Sequence, residues 1–148
     1  MKMKKIIIAA ALSCTLFVGC EASSSVSLTF NVETGDNINV KLDTHKNDYE
    51  LKADGSRFVV NEEDNEILKG IFLTTDMYDQ YEASIMETGT IIEDGDYLFY
   101  EYEGEAGTER NILLMVPDSE TGIIIGSLES EDKVRDAYSK LSFSNEKE

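Results

Sequence analysis

The sequence predicts an α+β domain built on a mostly antiparallel sheet with two helices. Apolar and polar residues alternate in most segments between Val26 and Leu128, as in half-buried strands. Helical spacing occurs in only two segments, and almost every link is too short for the crossover that parallel strands need. Because some strands are apolar on both faces, we expect a three-layer α/β/α sandwich with one helix on each face. The alternative places both helices on the same face.

The first half of the domain predicts two hairpins and a fifth strand. Asp54-Gly55 separates two of the strand-like segments, and this dipeptide favours a tight hairpin turn. Gly70 lies inside the fifth strand, where it predicts a bulge or a close neighbour. The predicted strands are Val26–Val32, Ile38–Leu42, Tyr49–Ala53, Arg57–Asn61 and Ile67–Thr74.

The first helix is predicted over Thr75–Met86. Thr75 can cap its amino end, and Gly89 ends it. Its apolar face is Met77, Tyr78, Tyr81 and Ile85.

The second half of the domain predicts four more strands and a second helix. The segments 112–116 and 122–126 are continuously apolar, so both faces of the sheet should be covered there. Ser130 caps the second helix, and Phe143 is expected to pack after it. The four strands are Thr90–Glu93, Tyr97–Glu103, Asn111–Val116 and Ile123–Leu128, and the helix stripe is Val134, Ala137, Tyr138 and Leu141.

These elements define a single domain over residues 26–143, followed by a disordered polar tail over 144–148. From Val26 to Phe143 their order resembles that of PsbP/Mog1-like proteins. The resemblance implies a layered fold of exported and adaptor proteins. It concerns element order alone and implies no functional residue.

The amino terminus has the pattern of a signal peptide. Three lysines precede the apolar segment Ile6–Val18, which is short for a membrane-spanning helix. Leu16-Phe17-Val18-Gly19-Cys20 resembles the lipobox of bacterial lipoproteins. The resemblance implies that residues 1–19 are removed and that Cys20 carries the lipid, with residues 20–25 as a short tether. The alternative is cleavage near Ala22, which would release a soluble secreted protein.

Net charge and cysteine content restrict the partners and the location that we expect. Three of the 13 basic residues and none of the 30 acidic ones lie in residues 1–19, so the mature chain has a net charge of −20. We expect no nucleic-acid partner, because that affinity comes mainly from cationic groups. Cys14 is expected to leave with the signal peptide, and Cys20 is expected to carry the lipid. The mature domain therefore has no cysteine left to form a disulfide. The expected location is the outer face of the bacterial cytoplasmic membrane.

No motif predicts catalysis or a cofactor. The single histidine, His45, lies in a polar loop, and no Gly-x-Ser-x-Gly elbow is present. Two acidic turns could attract Ca²⁺, but neither has the EF-hand spacing. The candidate oxygen ligands are Glu62, Glu63, Asp64, Asp94 and Asp96. The alternatives to a binding module are therefore a small exported hydrolase and an acidic envelope protein that binds divalent cations.

Charge placement suggests where a partner would bind. Residues 70–109 contain eleven acidic residues and no Lys or Arg. Asp76, Asp79 and Glu82 on the first helix could therefore meet a cationic protein or peptide. Tyr100 and Tyr102 are the aromatic residues of the Tyr97–Tyr102 segment that we expect to be exposed. The alternative is that the negative charge only keeps an exported domain soluble. The sequence thus predicts a non-catalytic, lipid-anchored interaction module.

Overall fold

A computed structural model describes residues 6–7 and 24–146 of the chain. Predictions that concern the lipobox, Cys20 and the last two residues lie outside the described residues. The α+β class with mostly antiparallel sheets is confirmed. The elements are β1 (Ile6–Ile7), β2 (Ser25–Asn31), β3 (Asn37–Asp43), β4 (Tyr49–Asp54), β5 (Arg57–Glu62), β6 (Asn65–Leu73), α1 (Thr75–Thr88), β7 (Thr90–Asp94), β8 (Leu98–Gly104), β9 (Gly107–Met115), β10 (Gly122–Ser127), α2 (Glu131–Ser139) and β11 (Leu141–Asn145).

The strands form two sheets, and the sequence did not predict this division. The large sheet has the order β4-β5-β6-β10-β9-β8-β7, and the small sheet has the order β1-β2-β3-β11. Strand β11 pairs antiparallel with β3, so that Phe143 lies opposite Val40. The prediction of a disordered tail from residue 144 is therefore wrong as far as Asn145. Backbone pairing with β3 orders those residues.

The two faces of the large sheet are covered differently. On one face, alternate residues of β8, β9 and β10 join a core with the inner face of the small sheet and with Val134 and Ala137 of α2. On the other face, Leu98, Tyr100 and Leu113 pack with Ile85 of α1. Because the small sheet shares its layer with α2, the finer prediction of a three-layer α/β/α sandwich is not confirmed.

Both helices begin at a capping hydroxyl. In α1 the Thr74 side chain accepts a hydrogen bond from the Met77 amide at 3.2 Å, so the cap lies one residue before the predicted Thr75. In α2 the predicted cap Ser130 accepts from the Lys133 amide at 3.3 Å. Gly89 ends α1, where its amide donates to the Ile85 carbonyl. The two capping hydroxyls therefore fix the residues at which the helices begin.

A polar cluster around Asp36 ties two turns and the last strand together. The Asp36 carboxylate accepts hydrogen bonds from the Thr121 hydroxyl (2.7 Å), the Glu120 amide (2.8 Å) and the Asn145 side chain (3.1 Å). Burial acts to raise the pKa of Asp36, but these bonds and one from Thr34 outweigh it, and the pKa is lowered. The cluster therefore holds the β2–β3 turn against the β9–β10 turn and the end of β11.

Gly70 lies directly opposite Phe58 on the neighbouring strand β5. A Cβ atom at this position would overlap the ring of Phe58, which is fully buried. The predicted close neighbour is thus confirmed. The bulge in β6 lies elsewhere, because Ile67 is the extra residue between the Val60–Leu68 and Asn61–Glu66 pairs.

We predict that Gly70→Ala destabilises the domain by about 1–3 kcal/mol, because the added methyl group overpacks the core against Phe58. Urea unfolding followed by circular dichroism measures this loss. Gly95→Ala is the matched control, since no atom lies within 4 Å of a Cβ at that position. An equal loss in both variants would contradict the packing explanation.

Candidate functional site

Helix α1 covers only part of its face of the large sheet. The covered region lies around Leu73, Leu98 and Leu113, which pack with α1. Further along the same strands, on the same face, the side chains are only partly covered. The pairing register aligns Lys69, Gly126, Asn111 and Tyr100 in one row across β6, β10, β9 and β8. This row and its neighbours form the floor of an open groove of about 420 Å³.

The floor of the groove is deep because one of its positions has no side chain. Gly126 lies between Lys69 and Asn111, and a Cβ there would lie 3.0 Å from the Asn111 Oδ1 atom. Asn111 is itself buried, which is unusual for an amide side chain. A depression of this volume is within the roughly 300–1,000 Å³ range of small-molecule sites.

Apolar and aromatic side chains form the walls. Ile71, Tyr81, Tyr102 and Leu128 are 40, 40, 43 and 60% exposed, although all four are large and at least partly hydrophobic. Ile124 is half-buried beside them. Tyr81 is the only one contributed by α1. The site therefore combines rigid strands with one helix side chain.

The acidic side of the groove is formed by Glu109. Its carboxylate lies over Gly104, where a Cβ would be 2.7 Å from one carboxylate oxygen. Glu66 also lines the groove, but it pairs with Lys69 at 3.8 Å. Among residues 24–146, no Lys or Arg forms an ion pair with Glu109. The groove thus contains a carboxylate whose charge is not neutralised by a neighbouring cation.

The environment of the groove raises the pKa values of Tyr100 and Tyr102. The charge of Glu109 is the main cause of a raised pKa at Tyr102, with smaller contributions from burial and from a hydrogen bond with the same carboxylate. Burial raises the pKa of Tyr100 to about 12, although its hydrogen bond with Asn111 acts in the opposite direction. Both hydroxyls are therefore protonated at neutral pH. The Tyr102 hydroxyl donates to the Glu109 carboxylate.

The structure brings together some of the residues that the sequence singled out. Tyr100 and Tyr102 both line the groove, but Tyr100 is only 4% exposed, so the expectation that it is exposed is wrong. It is covered because α1 packs on it. Asp76, Asp79 and Glu82 are exposed on α1 and do not line the groove.

The candidate cation ligands lie in two turns. Glu63 and Asp64 occupy positive φ angles in the β5–β6 turn, and Glu62 pairs with Lys133 at 2.8 Å. Asp94 and Asp96 lie at the β7–β8 turn. No group of three metal-ligating side chains is found within residues 24–146.

His45 is exposed in the loop between β3 and β4. Its backbone amide donates to the Asp43 carboxylate at 2.9 Å. The loop lies beside the start of the described domain, since the Thr44 amide donates to the Ser24 carbonyl at 2.8 Å.

Several groove residues were missed at the sequence level. Asn111 precedes a continuous apolar segment, and Gly126 and Ser127 end another. The sequence therefore predicted that each lies in a strand and indicated no functional role. A polar amide and a glycine at the ends of two-faced strands are the signals that could have indicated the site. Their alignment in one row depends on the β9–β10 register, which the sequence does not specify.

Comparisons of the chain with protein-family models, with curated proteins and with solved structures find no match. Within residues 24–146, neither helix has the length and apolar character needed to cross a membrane.

We predict that Glu109→Gln lowers the pKa of Tyr102 toward its ordinary value of about 10, because the variant removes the charge that disfavours the phenolate. A pH titration of the tyrosine side chains by NMR measures the shift. Glu103→Gln is the matched control, since Glu103 lies on the same hairpin but on the opposite face of β8. An unchanged Tyr102 titration in Glu109→Gln would contradict the assigned pairing.

Proposed function

We propose that the protein is an extracytoplasmic lipoprotein, held at the outer face of a bacterial membrane by acylated Cys20. There it acts as a non-catalytic binding module. The observation that carries the binding role is the groove beside α1, where large apolar side chains and a carboxylate remain accessible. Stable domains usually bury such side chains, and an exposed cluster of them is typical of an interaction site.

The start of the sheet supports the anchoring part of the proposal. Removal of residues 1–19 would take β1 with it, so the mature fold would begin with β2 at Ser25, and residues 21–24 would separate Cys20 from that strand. Four extended residues span at most about 14 Å. A lipid on Cys20 would therefore hold the domain against the membrane surface, and the partner would be a molecule found within that distance.

The strand order separates charges along the large sheet. Strands β4 and β5, which carry Lys52 and Arg57, form one edge of the sheet. The acidic strands β7 and β8 form the opposite edge. The small sheet, into which the tether leads, contacts β4 through β2. This arrangement supports an orientation in which the less acidic edge lies nearer to anionic lipid headgroups, because like charges repel there.

We predict that Cys20→Ser abolishes membrane anchoring, because the thiol that receives the lipid is lost. The protein is expressed in a bacterial host, and intact mass and membrane fractionation are measured. The unmodified chain should be in the membrane fraction with a lipid-sized mass increment on Cys20, and the variant should lack that increment.

Cys14→Ser is the matched control, since Cys14 lies within the removed segment and its loss should change neither mass nor fractionation. A soluble mature chain that begins near Ala22 would contradict the proposal.

A further inference from the structure

We propose that the groove binds a short basic segment of another polypeptide, with one Lys or Arg side chain held between the Tyr102 ring and the Glu109 carboxylate. This inference rests on the proposed binding role of the groove and specifies the chemistry of its occupant. Three independent features of the groove and its surroundings support a basic polypeptide.

The first feature is the Glu109 carboxylate without a cationic neighbour. The other charged groups lining the groove, Glu66 and Lys69, are paired with each other at 3.8 Å. Arg110, next to Glu109 in β9, lies on the opposite face and donates to Glu101 at 3.0 Å. Within the described part of the chain, Glu109 is therefore the group in the groove that an incoming ammonium or guanidinium would neutralise.

The second feature is the exposed aromatic surface beside that carboxylate. Tyr102 and Tyr81 are 43 and 40% exposed, and both line the groove. The face of a tyrosine ring attracts a cation through its quadrupole, and Arg and Lys are the protein cations that use this interaction. The apolar side chains Ile71, Ile124 and Leu128 suit the aliphatic stem of the same Lys or Arg, or an apolar neighbour of it.

The third feature is the charge of the surroundings. Residues 70–109, which include α1 and all of β8, contain eleven acidic residues and no Lys or Arg. The exposed residues Asp76, Asp79 and Glu82 belong to this set. A field of one sign attracts a basic segment and repels an acidic one before contact is made. The volume of about 420 Å³ accommodates only a few side chains, so the contacting segment is short.

The test uses the mature lipoprotein purified in a non-ionic detergent and isothermal titration calorimetry. The probes are acetyl-Lys-Leu-Lys-Leu-Lys-amide and its counterpart acetyl-Glu-Leu-Glu-Leu-Glu-amide. We expect saturable binding of the basic peptide that weakens as the salt concentration rises, and no binding of the acidic one. The amount of peptide that binds to detergent micelles is the same for every variant. A difference between two variants therefore reports binding to the protein alone.

Glu109→Gln and Tyr102→Leu should each weaken binding of the basic peptide about two- to fivefold. Glu103→Gln removes the same charge on the opposite face of β8, away from the groove, so it should weaken binding clearly less than Glu109→Gln does. Thermal melting of each variant shows that the fold is intact.

Three results would overturn the inference: no binding of the basic peptide, equal binding of the acidic peptide, or equal weakening by Glu103→Gln and Glu109→Gln. Membrane fractionation of the cells from which the protein is purified is measured in parallel. A basic peptide that does not bind to a correctly anchored protein refutes the assigned occupant and leaves the anchoring intact. A protein that is not anchored but binds the peptide refutes the anchoring alone.

Discussion

The three central strands of the large sheet, β6, β10 and β9, carry apolar side chains on both faces, and the rest of the domain is arranged to cover them. Burial of a Leu or Ile side chain contributes about 1.5–3 kcal/mol, so leaving either face open would be costly. One face is covered by the small sheet and α2 together. The other has only α1, and α1 does not extend across the whole face. The groove is the part of this apolar face that no other element covers.

Local patterns predicted most of the elements because each depends on neighbours in sequence. Alternation, or a continuous apolar segment in β9 and β10, identified strands β2 to β10, and helical spacing with a hydroxyl cap identified both helices. Strand β11 was missed because its polar residues resemble a chain terminus, and only pairing with β3, about a hundred residues away, orders it. The second sheet follows from that same long-range pairing. No local pattern could have predicted it.

The groove was less predictable than the fold. The sequence singled out Tyr102 because aromatic residues are enriched at binding sites, and it lies in the groove. Tyr100 is covered by α1, which depends on where the helix crosses the sheet and not on the β8 sequence. Asn111 and Gly126 form the floor only because the β9–β10 register aligns them. The residues that create the cavity are therefore those whose role depends on tertiary structure.

Most ion pairs of the described residues lie away from the Glu109 carboxylate. Arg110 pairs with Glu101 on the sheet face that packs on α2. Arg135 of α2 itself pairs with Glu93 and Glu131. Lys133 pairs with Glu62 near the same helix. These ion pairs neutralise charge where the large sheet meets α2. The groove face of the large sheet has the pair Glu66–Lys69 and, at the β4 edge, the pair Glu50–Lys52, and Glu109 remains without a cationic partner beside Tyr102.

The central claim is that part of the sheet face beside α1 is open in the mature protein, and tyrosine iodination followed by mass spectrometry tests it most directly. The chain contains seven tyrosines, of which Tyr81 and Tyr102 should react first because they are about 40% exposed in the groove. Tyr49 and Tyr100, each 4% exposed, should react last. In denatured protein all seven should react alike. If Tyr81 and Tyr102 react as slowly as Tyr49 in the native protein, the face is covered and the groove is not a binding site.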